Sequence, residues 1–422
     1  MSFLQKLKTL FSDPTLRRRI FFTVLILVLF RLGANIPIPG IDTLALEQYF
    51  SGNNFLGLLN LFSGGGLSNL SIFMLGVGPY ITATIILQLL TMIFPKLKAI
   101  YHEEGEAGRR KFTQYGRLLT VPLAIVQGFG LLTLLKSQGI FLDVSAFTMI
   151  TSIVVVTGGS MLLTWMGELI SEFGAGNGVS LIIFAGIVAG IPTALSQLFV
   201  LYDPTQIPLY LGFLVVAAVI IFGVVIITEA ERPIPVTYAK RVRGMKQYGG
   251  VSTYLPLRVN QAGVMPIIFA LALLLFPQMV GGFLLGFSNS IAQTIGNILM
   301  GFVNNLWLYG FFYFILVFLF TYFYTAVTFD PDTMANNLQK SGAFIPGVRP
   351  GPKTAEYVGR VLTRLTLVGA IFLGLIAILP LIMQGLTGIQ ALAIGGTGLL
   401  IVVSVVLDLV KQLDAQLAMR EY

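Results

Sequence analysis

Few residues in this chain could do chemistry, and their spacing does not gather them. The sequence has 422 residues, no cysteine and one histidine, His102. Thiolate catalysis, disulfides and cysteine-bound metal are therefore excluded, and so is a multi-histidine metal cluster. His102 precedes Glu103 and Glu104 in a basic loop over 96–117, and the three match no metal motif. A nucleophile needs a base within reach, and no such pair stands out. No Walker-type phosphate loop occurs. The chain reads as a non-enzyme without metal or cofactor. Any work it does draws energy from a partner.

Composition points to the solvent these residues sit in. Hydrophobic residues make up 56% of the chain and charged residues 10%, against about 25% charged in soluble domains. Mean hydropathy is +0.87. Too little polar surface exists to cover several soluble cores, and such apolar content is the opposite of disorder. The surplus requires lipid. A membrane helix takes about 20 mostly apolar residues. Ten such runs occur, near 18–35, 71–94, 118–136, 147–170, 179–201, 207–228, 262–285, 306–328, 361–383 and 389–410. They are long and do not alternate, which argues against barrel strands. The expected fold is an all-α polytopic membrane protein with ten transmembrane helices.

Charge orients these spans. Of the 26 Lys and Arg residues, only Arg31 and Lys136 fall outside the terminal segments and loops on one face. The excess of basic residues marks that face as cytoplasmic. Ten spans place both termini there, so parity and charge agree. The net charge of +8 largely restates this bias. The first run, preceded by Arg17, Arg18 and Arg19, reads as an anchor and not as a cleaved signal, because no small-residue cleavage site follows. Glu168, Asp408 and Lys411 lie near span ends, and no span carries an ionisable residue at its centre. Ion-coupled transporters need such groups, so that mechanism is disfavoured. A passive pore and a path for polymers both remain.

Several segments are irregular. From Phe55 a run of about eight apolar residues leads into Gly64, Gly65 and Gly66. It is too short to span and too apolar for an ordinary loop. It reads either as a re-entrant helix lining a cavity or as an interfacial helix lying on the bilayer, with the glycines as a hinge. The second span contains Gly76, Val77, Gly78 and Pro79, which predict a kink or close packing. It also carries Thr82, Thr84, Gln88 and Thr91, a polar stripe suited to another helix or water. Long cytoplasmic loops cover about 229–261 and 329–360. Their Pro, Gly and aromatic residues suggest ordered structure offered to a partner, and Lys240, Arg241 and Arg243 could meet phosphates or an acidic surface. A merely solvated loop fits equally.

Several motifs carry a resemblance. Ser71–Leu90 resembles the second-span signature of the SecY family, the channel subunits of the bacterial Sec protein translocon. Arg31–Gly40 is similar to that family's first-span exit, Gly105–Lys111 to the loop before its third span, and Gly176–Ser180 to the start of its fifth. Asn336–Gly342 and Ile345–Gly351 resemble its large loop before the ninth span, and Gly395–Ile401 its tenth. The resemblance covers essentially the whole chain.

The resemblance implies two inverted-repeat halves, spans 1–5 (residues 1–201) and 6–10 (residues 202–422), forming a clamshell around an hourglass pore. It implies a pore ring of Val77, Ile81, Ile183, Ile187, Ile268 and Ile401, with Val77 standing where isoleucine is common. Val77/Ile81 and Ile183/Ile187 are i, i+4 pairs, so each pair faces one way on its helix. It implies a plug over about 55–67, containing Phe55, Leu56, Leu58, Leu59, Leu61, Phe62, Gly64, Gly65 and Gly66. Thr84, Gln88, Gln127 and Asn260 are candidates for a lateral gate, Gln88 lying within a matched motif. Lys240, Arg241, Arg243 and Arg349 are expected to engage the motor ATPase SecA or the ribosome, through its RNA and the proteins near its exit tunnel. Further implied partners are the small subunits SecE and SecG, signal peptides, nascent chains and membrane lipids. The implied location is the bacterial cytoplasmic membrane. Rival readings are a solute transporter, a lipid-acting membrane enzyme, and a scaffold or insertase without an aqueous path.

Overall fold

A computed structural model describes the chain apart from residues 1–11, 39–62, 64, 68, 103, 138, 141–144, 201–206, 239–240, 244–245, 249–251, 286–288, 388–389 and 419–422. Helix α1 (Pro14–Gly33) begins where Asp13 caps it, its side chain accepting from Thr15 N at 2.8 Å. Pro14 occupies the first turn, where a missing N–H costs nothing. Helices α2 (Gly78–Ile93) and α3 (Pro95–His102) follow, then α4 (Gly105–Ser137), α5 (Ala146–Phe173), α6 (Gly178–Val200) and α7 (Ile207–Glu229). The second loop region holds strands β1 (Glu231–Tyr238), β2 (Arg241–Arg243), β3 (Lys246–Tyr248) and β4 (Ser252–Arg258). Helices α8 (Met265–Leu285), α9 (Ser290–Asn304), α10 (Leu306–Thr328) and α11 (Pro331–Lys340) lead to strand β5 (Ala343–Phe344). Helices α12 (Pro352–Thr387) and α13 (Gln390–Ala418) complete the chain.

A helix occupies the position of each of the ten expected spans. Among the described residues, four stretches are long and apolar enough by themselves to cross a membrane: Gly105–Lys136, Ala146–Phe173, Leu306–Lys340 and Pro352–Gly385. A fifth arises if α2 and α3, bent by 116° at Phe94, count as one. Pro95 explains the bend, since the residue before proline is pushed to extended backbone, and Phe94 sits at φ −104°, ψ 107°.

Three expectations are corrected. The second helix starts at Gly78 and not near 71. Residues 72–77 form turns, with Gly76 at φ +58°. The Gly-Pro pair therefore opens the helix; it does not kink it. The basic stretch over 96–117 is largely helical, because α3 and the first turns of α4 fill it. The fold is also not purely helical. Strands β4, β1 and β5 form an antiparallel sheet in that order, and β2 pairs with β3. Pro233 and Pro235 remove backbone donors and forbid a helix there. Strand β5 reaches only Thr237 and Tyr238 of β1, so both prolines lie beyond it, where a strand tolerates them.

Contacts divide the chain into two compact units: one of Met1–Leu214, Leu271–Tyr309 and Pro380–Tyr422, the other of Val215–Ala270 and Gly310–Leu379. In the first, α5 packs on α1, α4 and α6, and α6 packs on α13. The backbones approach closely at small residues. A Cβ on Gly178 would collide with the Gly167 carbonyl oxygen, and one on Gly159 with that of Ile72. Small residues at crossings are how membrane helices gain contact without a hydrophobic driving force. Phe21 and Val28 on α1, and Phe147, Ile150 and Val154 on α5, are exposed. Apolar surface this extensive requires lipid.

The second unit holds a different kind of core. Ile234, Val236 and Leu257 of the sheet, Ala343 and Ile345, and Val358, Val361 and Leu362 of α12 form one buried cluster, with Met334 and Leu338 of α11 packed against it. The two long loops thereby share one small lobe.

Candidate functional site

The six aliphatic residues expected to line a pore are all buried, between 0 and 7% exposed: Val77, Ile81, Ile183, Ile187, Ile268 and Ile401. Five belong to the first unit and Ile268 to the second. Val77 caps the start of α2, and the Ile81 amide donates to its carbonyl at 3.0 Å. This fixes the two side chains one turn apart. Ile183 and Ile187 stand one turn apart on α6, whose partner α13 carries Ile401.

The turns before α2 are tightly held. Ser160 Oγ of α5 donates to the Gly76 carbonyl at 2.9 Å in a buried position. The Ile72 amide donates to the Ile36 carbonyl at 3.0 Å, and Ile38 N donates to Leu70 O at 2.9 Å. Asn69 Nδ2 donates to Asn35 Oδ1 at 3.2 Å, and Asn35 donates back to the Arg31 carbonyl. Sequence reading missed this stapling. Its one local signal is the small-residue run Gly158, Gly159, Ser160, which permits close approach.

Within the expected plug, Phe55, Leu56, Leu58, Leu59, Leu61, Phe62 and Gly64 lie outside the described residues. Gly65 has φ +83°, a conformation that favours glycine. Gly66 is clamped: a Cβ there would meet Ser71 Oγ at 2.8 Å and the Phe73 carbonyl oxygen at 2.9 Å. The Ser71 amide also donates to the Gly66 carbonyl at 2.8 Å. Leu67 is fully buried.

The four expected gate residues are not joined to one another by any hydrogen bond found among the described residues. Thr84 Oγ1 donates to the Tyr80 carbonyl of its own helix at 2.8 Å. Gln127 Nε2 of α4 reaches Thr82 Oγ1 of α2 at 3.4 Å. Asn260 Nδ2 donates to Gly263 O at 3.1 Å. Gln88 Oε1 and Asn260 Oδ1 are buried acceptors without a hydrogen-bond partner. A buried polar atom left unmatched costs about 1–3 kcal/mol.

Arg349 is exposed on a hydrogen-bonded turn. Gly347 and Gly351 take φ +80° and +95°, the Val348 amide donates to Ile345 O at 3.0 Å, and Thr354 Oγ1 donates to the Arg349 carbonyl at 3.0 Å. Ile345 and Val348 pack into the lobe's core. Lys240 lies outside the described residues. Arg241 and Arg243 lie on β2, in register with Tyr248 and Lys246 of β3. Sequence reading also missed the bond between spans three and four: Arg117 Nε donates to Glu168 Oε1 at 2.7 Å, and a second guanidinium nitrogen meets Oε2. Such two-point pairing is the strong form of an ion pair.

These features define a mostly helical membrane protein with several long apolar helices and an ordered lobe built on a small sheet. A family model described as SecY matches residues 71–410. The protein translocase subunit SecY of Streptomyces galbus is 44% identical over 433 residues, covering 98% of this chain and 97% of the relative. The same subunit of Mycobacterium tuberculosis strain H37Rv is 42% identical over 442 residues, covering 100% and 98%. The chain belongs to the SecY family. Its fold matches that of a solved protein-conducting channel, with a TM-score of 0.64, 20% identity and coverage of 95% and 92%. It also matches Sec61 in the canine ribosome–channel complex from the endoplasmic reticulum, with a TM-score of 0.61, 19% identity and coverage of 95% and 92%.

Proposed function

We propose that the chain is the channel subunit of a Sec-type protein translocase. It passes unfolded secretory polypeptides across the bacterial cytoplasmic membrane and releases transmembrane segments sideways into lipid. The observation that carries this reading is the burial of Val77, Ile81, Ile183, Ile187, Ile268 and Ile401. Aliphatic constrictions stop ions by dewetting and need no charged group. They yield around a polypeptide because they make no directional bonds.

In this reading ten spans form two inverted halves, residues 1–201 and 202–422, a clamshell around an hourglass pore. The 55–67 segment is the plug. The clamp on Gly66 supports a fixed return limb, with Gly65 at the hinge before it. Thr84, Gln88, Gln127 and Asn260 lie along the lateral gate. The unmatched acceptors of Gln88 and Asn260 favour a seam that exchanges partners when a signal peptide enters. Both termini are cytoplasmic, as the basic asymmetry requires. SecE and SecG complete the membrane complex. SecA docks at Arg349, and SecA or the ribosome at Lys240, Arg241 and Arg243. Likeness to a channel solved on a ribosome supports the latter.

A photo-crosslinker at Ile187, with a second at the exposed Val188 on another face of the same helix, tests the reading against an arrested secretory chain in native membranes. Crosslinking from Ile187 alone, dependent on a functional signal sequence, is expected. Silence at Ile187 in an intact complex refutes it.

A further inference from the structure

Helix α9, between α8 and α10, has three distinct faces. Gly296, Leu299 and Met300 pack on α8: a Cβ on Gly281 would stand 3.1 Å from Leu299 Cβ, 3.3 Å from the Gly296 carbonyl oxygen and 3.3 Å from Met300 Cγ. Ser290, Gln293, Thr294 and Asn297 make an exposed polar face. Between the two, Ile291, Ile295 and Ile298 fall at i, i+4 and i+7 and so share one stripe. They are 70%, 46% and 66% exposed.

Three isoleucines this bare call for an occupant, and the surroundings select one. No Asp, Glu, Lys or Arg occurs from Val259 to Phe329, so neither α9 nor the helices flanking it in sequence carry a charge for an acidic or basic partner. The helix has 15 residues, about 22 Å at 1.5 Å per residue. It is too short to cross a core of about 30 Å. It is tied at both ends to apolar helices. After Asn305 alone, α10 opens with exposed Trp307 and Leu308, and tryptophan prefers the membrane–water boundary. A polar face beside an apolar stripe is the pattern of a helix lying in that boundary.

We propose that α9 is an interfacial lipid-binding helix. Its Ile291, Ile295 and Ile298 stripe beds into the headgroup–acyl boundary of the bilayer through uncharged contacts, while Gly296 seats it on α8. It thereby sets the depth of the connection between the seventh and eighth helices that coincide with the expected spans.

The chain's lack of cysteine makes the test direct. Ile291→Cys, Ile295→Cys, Ile298→Cys and Asn297→Cys each carry one nitroxide label in the full chain, reconstituted in phosphatidylcholine vesicles. Thermal melting confirms that each variant is folded, and any one of the three stripe positions suffices. The ratio of oxygen to nickel-chelate accessibility should be several-fold higher at the three stripe positions than at 297. Their depth should be about 5–10 Å and insensitive to salt. Nickel access equal to that at 297 places the stripe in water and overturns the proposal. Protection from both reagents means a protein covers it, a second copy included, and overturns it too.

Discussion

The buried aliphatic residues of α2, α6 and α13 and the lobe built from the two long loops bury their side chains equally well, for opposite reasons. In the lobe, Ile234, Val236, Ile345 and Val358 are buried because water lies outside, and charge sits on the surface. Glu356 there pairs with Lys353 at 2.9 Å and Arg360 at 3.0 Å, all well exposed. In the first unit the outside is as apolar as the inside, so burial alone gains little. Close approach at Gly159 and Gly178 and the Ser160 bond to Gly76 do the holding. An assembly held by fit and by few polar bonds can part and reclose. A hydrophobic core in water resists parting. In the proposed function, that division fits a membrane region that parts and recloses beside a lobe carrying the exposed Arg349.

Substitutions can break that contrast in order of expected effect. Val358→Asp puts a charge into a fully buried site of the lobe. It should remove several kcal/mol of local stability and open both loops to limited proteolysis, with Val358→Ala as the milder reference. Intact loops would mean that the cluster does not hold them. Ile183→Ser should cost about 2–5 kcal/mol by analogy with large-to-small core changes. More tellingly, it should raise ion leak across proteoliposomes several-fold, whereas Ile183→Val should not. Arg349→Glu should weaken SecA-driven export about tenfold, roughly 1.4 kcal/mol, while the melting temperature holds. Normal export at low SecA concentration would detach the exposed arginine from docking. Gln88→Leu removes an unmatched acceptor, and the gate equilibrium should shift by about 1 kcal/mol, read as altered tolerance of defective signal sequences. Glu356→Gln, at a solvated ion pair, should leave the melting temperature within scatter.

The candidate site residues come from the family resemblance, and the chain by itself supports only their local geometry. The i, i+4 spacing of Val77/Ile81 and Ile183/Ile187 is local, so helical periodicity alone predicts that each pair shares a face. The glycines and prolines around Arg349 predict a surface turn, while its expected role rests on the family resemblance alone. The pairing of Arg117 with Glu168 could not, since 51 residues separate them and neither position is unusual in its own helix. The sequence alone reads the triple glycine as one hinge. The structure holds Gly66 against Ser71 and Phe73, which no count of glycines could reveal.

Hydropathy determined the helices, because a run long enough to face lipid must satisfy its own backbone bonds and therefore coils. Charge determined the expected orientation, because lysine and arginine loops stay on the cytoplasmic face. The sheet, the start of α2 and the three faces of α9 were left to tertiary structure. Strand β1 finds β4 and β5 only when residues from 231 to 344 meet, and α9 shows an apolar stripe only once α8 has claimed its neighbouring face. Local sequence encodes what a segment does with its own backbone. Which of its faces is spent on a neighbour depends on contacts that local sequence does not contain.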